Sequence, residues 1–192
     1  MFTVLMVCTG NICRSPVAEI LLNVAFRQRV SVGSAGTRAL VGRPVAGPME
    51  QLLAAEGCFA PHFSARQLTE GNIKGADLIL TMTRHQRAMV VSLHPAAVRR
   101  SFTLTEFSRL ISETSQPSPF SGKVSAEDWW RGAVPRAARG RRPMYELACT
   151  DDIDDPYGRC KDVYGSTFSV IHEAISNLRQ RFDEECAADR VA

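Results

Sequence analysis

The sequence has no long apolar run. The opening stretch MFTVLMV is apolar for only seven residues, has no basic flank before it and runs straight into Cys-Thr-Gly. A membrane span needs about 20 apolar residues, and a secretory signal needs a longer apolar region with a cleavage site. Neither fits this stretch, and a cytoplasmic location is expected. Charge of one sign is also scarce. The 23 basic and 20 acidic residues leave +3, too little to require nucleic acid or an anionic membrane as partner. The four histidines are scattered, at His62, His85, His94 and His172, and give no metal-ligand set, so neither metal nor cofactor is expected. Six cysteines in 192 residues are too few for a disulfide scaffold, and the Cys8–Cys13 and Cys149–Cys160 spacings lack the paired C-x2-C pattern of zinc sites. In a reducing compartment they are free thiols open to chemistry. What remains is an ordinary globular composition, 45% apolar and 22% charged, about one domain long and without internal repeats.

Strands and helices alternate along the chain. Phe2 to Val7 is a continuous apolar run, the pattern of a strand buried on both faces of a parallel sheet. Pro16 suits the first turn of the helix that follows, in which Val17, Ile20, Leu21 and Val24 share one face. Val30 to Ser34, Asp77 to Thr81 and Phe102 to Leu104 read as further strands. Helices are predicted over Pro48 to Glu56 (stopped by Gly57), Thr83 to Leu93 and Thr105 to Ile111. A last helix carries Ile171, Ala174, Ile175, Leu178 and Phe182 on one face. This is an α/β fold with an open sheet.

Cys8-Thr9-Gly10-Asn11-Ile12-Cys13-Arg14-Ser15 carries the chemistry. It lies at the carboxyl end of the first strand and the amino end of the first helix, the edge where open α/β sheets bind ligands. A loop of this length can turn its N–H groups inward, and the helix end adds positive potential. Gly10 is expected to permit the tight turn. Thr9 to Arg14 thus form an anion cradle, in which Arg14 presents a planar fork to two phosphoryl oxygens. The same field favours the thiolate of Cys8, and Ser15 is placed to donate a hydrogen bond to it. Such a thiolate can attack phosphorus and form a cysteinyl-phosphate, while Arg14 and the loop amides stabilise the equatorial oxygens. The bare pattern C-x5-R-S/T arises by chance in roughly one such chain in twelve, so its position between strand and helix is what gives it weight.

A leaving phenolic oxygen needs a proton. The only Asp-Pro pair, Asp155-Pro156 in DDIDDPYGR, supplies a candidate acid on a loop stiffened by proline, while Asp151, Asp152 and Asp154 read as a plain acidic turn. Between Ser112 and Thr150 the periodicity fails. This segment holds four prolines and a basic run, Arg131 to Arg142, with five arginines and no acid. It reads as a long loop or partly disordered insertion. Trp129 and Trp130 indicate that some of it packs, and the arginines are expected on a solvated face.

These residues resemble the low-molecular-weight protein tyrosine phosphatase family, in its bacterial branch. The likeness rests on VCTGNICRSP, SAGT at Ser34 to Thr37, SARQLT at Ser64 to Thr69, ADLILTMT at Ala76 to Thr83, and DDPYG. It implies a four-stranded parallel sheet flanked by helices. It also implies a single phosphatase domain over residues 1–192 with a loop insertion at about 112–150. Cys8 would be the nucleophile, Arg14 the phosphate binder and Asp155 the general acid and then base. Asn11, Ser15 and Ser34 match positions that hold the loop in shape. Cys13 matches a second cysteine that can pair reversibly with the nucleophile on oxidation. Ile12 and Tyr157 would line the substrate pocket. The expected substrate is a phosphotyrosyl protein. Tyr157-Gly158 looks closer to protein arginine phosphatases, whereas Ile12 replaces the threonine of that branch and fits the tyrosine-directed pattern. Arsenate reduction in the same fold needs further mid-chain cysteines, and residues 59–148 contain none. A phosphoprotein-binding or redox-sensing module is the non-enzymatic alternative; it would not need the leaving-group acid.

Overall fold

In the computed structural model, which describes residues 1–26, 29–114, 125–141 and 151–188, the apolar opening stretch becomes strand β1 (Thr3–Cys8). It pairs in parallel with β2 (Ser31–Gly36) on one side and β3 (Leu78–Thr81) on the other. Beyond β3 lies β4 (Ser101–Thr103), giving a sheet order of β2-β1-β3-β4. Side chains of β1 alternate between two cores. Val4, Met6 and Cys8 enter the larger cluster, and Leu5 and Val7 the smaller one. Burial on both faces explains why the strand reads as unbroken apolar sequence. Because all pairings are parallel, the carboxyl ends of the strands share one edge, with Cys8 level with Gly36.

The helices are α1 (Arg14–Ala25), α2 (Gly47–Ala55), α3 (Glu70–Lys74), α4 (Arg84–Leu93), α5 (Leu104–Glu113), α6 (Ala126–Gly140) and α7 (Lys161–Ala188), with a 3₁₀ turn over Pro95–Arg100. Thr83 and Thr103 cap α4 and α5 with reciprocal boxes, closed by Gln86 and Glu106 respectively. The expected stripe on α7 is buried throughout. On α1 the buried face is Val17, Ala18, Leu21 and Leu22, whereas Val24 is 58% exposed. The helix is rotated by about one residue from the expected face, so that its alanine side seats on the sheet. Among the described residues, no helix is long and apolar enough to cross a membrane.

The segment expected to be a loop contains α6. Pro135 within it hides the helical pattern, and much of its buried face is alanine, a weak periodic signal. Its anchor is aromatic. Trp130 is fully buried, stacked on Phe107 at 5.9 Å and Phe2 at 6.0 Å, with Trp129 edge-on at 5.0 Å. The solvated face expected for the arginine run holds for Arg131 and Arg139, which are exposed, but not for Arg136 and Arg141. Buried Arg136 donates to Glu185 at 3.1 Å, and Trp129 Nε1 donates to the same carboxylate at 2.8 Å. Arg141 lies over the Phe102 ring and reaches Glu106. Arginine stems cover apolar surface while their heads find buried carboxylates. Arg142, the end of that run, falls outside the described residues.

Candidate active site

Cys8 ends β1, and after five intervening residues α1 begins at Arg14. The carbonyls of the intervening loop are taken up on its outer side. Thr37 N–H donates to Cys8 O, Arg38 N–H to Thr9 O, Leu40 N–H to Gly10 O and Ala46 N–H to Ile12 O, at 2.7–2.9 Å. With its carbonyls held outward, the loop turns N–H groups inward, and Asn11 N–H donates to Cys8 Sγ at 3.2 Å. The turn depends on a different residue from the one expected. Asn11, at φ 54°, adopts the left-handed conformation, and Gly10 does not. Asn11 tolerates that region better than most residues, and its short amide is fixed by Ser15, Ser34 and the Arg66 N–H. The glycine that the cradle does require is Gly36, where a Cβ would lie 2.5 Å from Thr9 O.

Beneath the sulfur lies a buried polar chain. Arg66 N–H donates to Asn11 Oδ1 at 2.7 Å, so the amide nitrogen faces the two serines. It donates to Ser15 Oγ at 2.9 Å and Ser34 Oγ at 2.7 Å. Ser34 then spends its own proton on Glu19 Oε2 at 2.5 Å. Ser15 Oγ lies 2.9 Å from Cys8 Sγ, placed to donate to the thiolate. Burial pushes the Glu19 carboxyl up, against the opposing pull of Ser34 and Arg66.

Arg14 is 3% exposed. Its Nη1 donates to Ile153 O at 2.9 Å, and its Nη2 pairs with Asp155. Its Nε is buried without an acceptor among the described residues. Asp155 is half exposed, and its Oδ1 accepts from Tyr157 N–H at 3.2 Å. The neighbours of Asp155 do more than form an acidic turn. Asp151, 6% exposed, sits 3.5 Å from the guanidinium nitrogens of both Arg84 and Arg109, and its carbonyl accepts from Thr105 at 2.7 Å. Asp152 accepts from Arg84 N–H at 2.7 Å. Ile153 N–H donates to Met82 O at 2.8 Å. Gln86, also buried, accepts from Met82 N–H at 3.0 Å and donates to Thr9 Oγ1 at 3.1 Å. The corner from Met82 to Gln86 therefore braces the cradle and the acid loop together.

Cys8, Thr9, Gly10, Ile12, Cys13, Arg14, Asp155 and Tyr157 line one cavity of about 200 Å³. Asn11, Ser15 and Ser34 lie beneath it. Larger grooves exist elsewhere, but this is where the thiol, the arginine and the acid meet. Cys13 is buried, and its thiol is pushed up to about 12 by that burial and by the charges of Cys8 and Asp155. Among the described residues, no cluster of three or more His, Cys, Asp or Glu could hold a metal. Sequence reasoning missed Arg38 and Leu40 on the cavity wall, and Glu19, Arg66, Gln86 and Asp151 behind it. Two of these left a trace. Glu19 follows Ser15 by one helical turn, and Gln86 closes the T-x-x-Q capping box.

A family model described as low molecular weight phosphotyrosine protein phosphatase matches residues 3–126. The chain belongs to this family. The probable low molecular weight protein-tyrosine-phosphatase EpsP of Ralstonia nicotianae is 42% identical over 104 residues, 54% of this chain and 71% of that protein. The phosphatase Etp of Escherichia coli is 33% identical over 137 residues, 71% of this chain and 90% of its own. Among solved structures, the YwlE arginine phosphatase of Geobacillus stearothermophilus superposes with a TM-score of 0.69 at 28% identity, covering 96% of this chain and 95% of that one. The match to the family model closes ahead of Asp155.

Proposed function

We propose that the protein hydrolyses phosphotyrosine in phosphorylated proteins, in a reducing cytoplasmic setting that keeps its thiol active. The observation that carries this is Arg14, which lines the same cavity as Cys8 and whose buried Nε has no acceptor among the described residues. A phosphoryl oxygen supplies the missing acceptor. The proposed domain is residues 1–192 as one unit, with 112–150 as an insertion that carries α6.

Cys8 Sγ attacks phosphorus and forms the S–P bond as the P–O bond to the tyrosyl oxygen breaks. Asp155 gives its proton to that leaving oxygen. The inward N–H groups and Arg14 hold the three equatorial oxygens throughout. Water then attacks phosphorus and passes a proton to Asp155, while the S–P bond breaks and the electron pair returns to sulfur. Ser15 O–H and Asn11 N–H receive the thiolate. Ile12, Leu40 and Tyr157 give the cavity an apolar wall that suits a phenyl ring, and Arg38 at its rim would repel a cationic guanidinium. A second reading, phosphoarginine hydrolysis, draws on the likeness to the arginine phosphatase and on Tyr157-Gly158. Under oxidation Cys13, which lines the same cavity as Cys8, would be the partner for a reversible disulfide with it.

Turnover of p-nitrophenyl phosphate in the presence of chelator tests the chemistry. Cys8→Ser must abolish it, and a fully active variant refutes the mechanism. Phosphotyrosyl and phosphoarginyl peptides compared on the native protein and on Ile12→Thr test the substrate. The native protein is expected to prefer phosphotyrosine, with the preference weakened by the substitution.

A further inference from the structure

The 3₁₀ turn Pro95–Arg100 and helix α6 enclose an open groove of about 680 Å³. The turn leads into the amino end of β4, whereas Cys8 stands at the carboxyl end of β1, so in this parallel sheet the groove lies away from the catalytic edge. Four arginines line it, Arg99 and Arg100 from the turn and Arg139 and Arg141 from α6 and its end, and among the described residues no lining residue is acidic. Between them lies an apolar floor that includes Val98, which is 50% exposed, and Pro135.

The four arginines are not equally engaged. Arg141 is paired with Glu106 and lies over Phe102. Arg100 gives one nitrogen to Ile73 O at 3.3 Å, and its Nε is buried without an acceptor among the described residues. Arg99 and Arg139 are exposed and have no ion pair among the described residues. The whole chain carries only +3, so this concentration of like charge is local. It raises the energy of the free protein, and an anionic partner would relieve it.

We propose that this groove docks an acidic segment of a partner protein, with its carboxylates on Arg99, Arg100 and Arg139 and its intervening apolar side chains on the floor. The shape selects this occupant. A concave floor with apolar patches between charges accepts an extended chain whose side chains alternate. A lipid headgroup plane cannot enter it, and among the described residues the lining offers no aromatic face on which bases could stack. Because the groove is remote from Cys8, docking there would hold a partner without occupying the cradle.

The test uses the full chain and the double variant Arg99→Glu, Arg139→Glu. Binding of a short fluorescent peptide of alternating glutamate and valine is followed by anisotropy at low and raised salt. Binding of phosphatidylserine vesicles is measured alongside, and p-nitrophenyl phosphate turnover monitors the catalytic site. The native chain is expected to bind the peptide. The variant should bind it about tenfold or more weakly, with the native affinity falling as salt rises, while turnover stays within about twofold. Equal peptide binding by both proteins overturns the proposal, as does no binding by the native chain. Vesicle binding that depends on Arg99 and Arg139 without peptide binding overturns it in favour of a lipid surface. These readouts stand whether or not phosphotyrosine proves to be the substrate.

Discussion

Replacing Ser15 with alanine isolates one interaction of the nucleophile. The Ser15 hydroxyl lies 2.9 Å from Cys8 Sγ and accepts from Asn11 Nδ2, which leaves its proton for the sulfur. A hydrogen bond to a charged group contributes about 1.5–3 kcal/mol, and each 1.4 kcal/mol is about tenfold in rate. Losing it is therefore expected to slow thiolate-dependent steps by roughly 10- to 100-fold. The larger loss should fall on hydrolysis of the phosphoenzyme, because sulfur must depart there as the anion. Rapid-mixing assays with p-nitrophenyl phosphate separate the two steps, since the first releases p-nitrophenol in a burst and the second sets the steady rate. Alkylation of Cys8 by iodoacetate reports the thiolate directly and should slow in parallel. A urea titration guards against a folding defect, because the Asn11 amide keeps Ser34 as acceptor. If burst, steady rate and alkylation all remain within about threefold of the native protein, Ser15 does not donate to Cys8 and the assigned proton direction is wrong.

Asp155→Asn should slow attack on phenyl phosphate by about 10²- to 10³-fold, and much less on p-nitrophenyl phosphate, whose leaving group needs no proton; equal losses on both would move the acid to another residue, such as Asp154. Trp130→Ala removes a fully buried ring that touches Phe2, Phe26 and Phe107, and a loss of about 3–5 kcal/mol in chemical denaturation is expected. A change below about 1 kcal/mol would mean that α6 is not packed there. Glu106→Gln tests a pH dependence. Burial works to raise this carboxyl, but Arg141 and Arg87 outweigh it and hold it below the usual carboxylate range. Its contribution is therefore present above the unfolded-state value and lost as pH falls through the folded one. The variant should be less stable by about 3 kcal/mol at neutral pH, with the two proteins converging in strong acid; a constant gap across that range would rule out an ionic origin.

The cradle was legible because it is contiguous. Cys8 to Ser15 carry nucleophile, turn and arginine within a single strand-to-helix junction, where local spacing fixes what can face the sulfur. The finer assignment was less so. Gly10 looks like the turn residue by composition, yet Asn11 takes the left-handed conformation, its side chain held by Ser15 nearby and by Ser34 and Arg66 from other parts of the fold. Asp151 reads as a surface acid, and only the approach of α4 and α5 gives it two arginines. Helix α6 was hidden by Pro135 and by alanines whose apolar signal is weak; its tryptophans marked it as packed without revealing the helix.

By itself, the sequence determined the order of the chemistry: a both-faces-buried strand, a phosphate-sized loop, an arginine, and far downstream an acid before proline. These follow from short-range backbone geometry and side-chain chemistry. The tertiary structure decided what meets what. Arg14 and Asp155, 141 residues apart, come together because the Met82–Gln86 corner ties the acid loop and the cradle to the same end of β3. The chain from Glu19 through Ser34 and Asn11 to Ser15 exists only because β2 lies beside β1. Long-range pairing is set by where the two cores can close, and no local pattern encodes it.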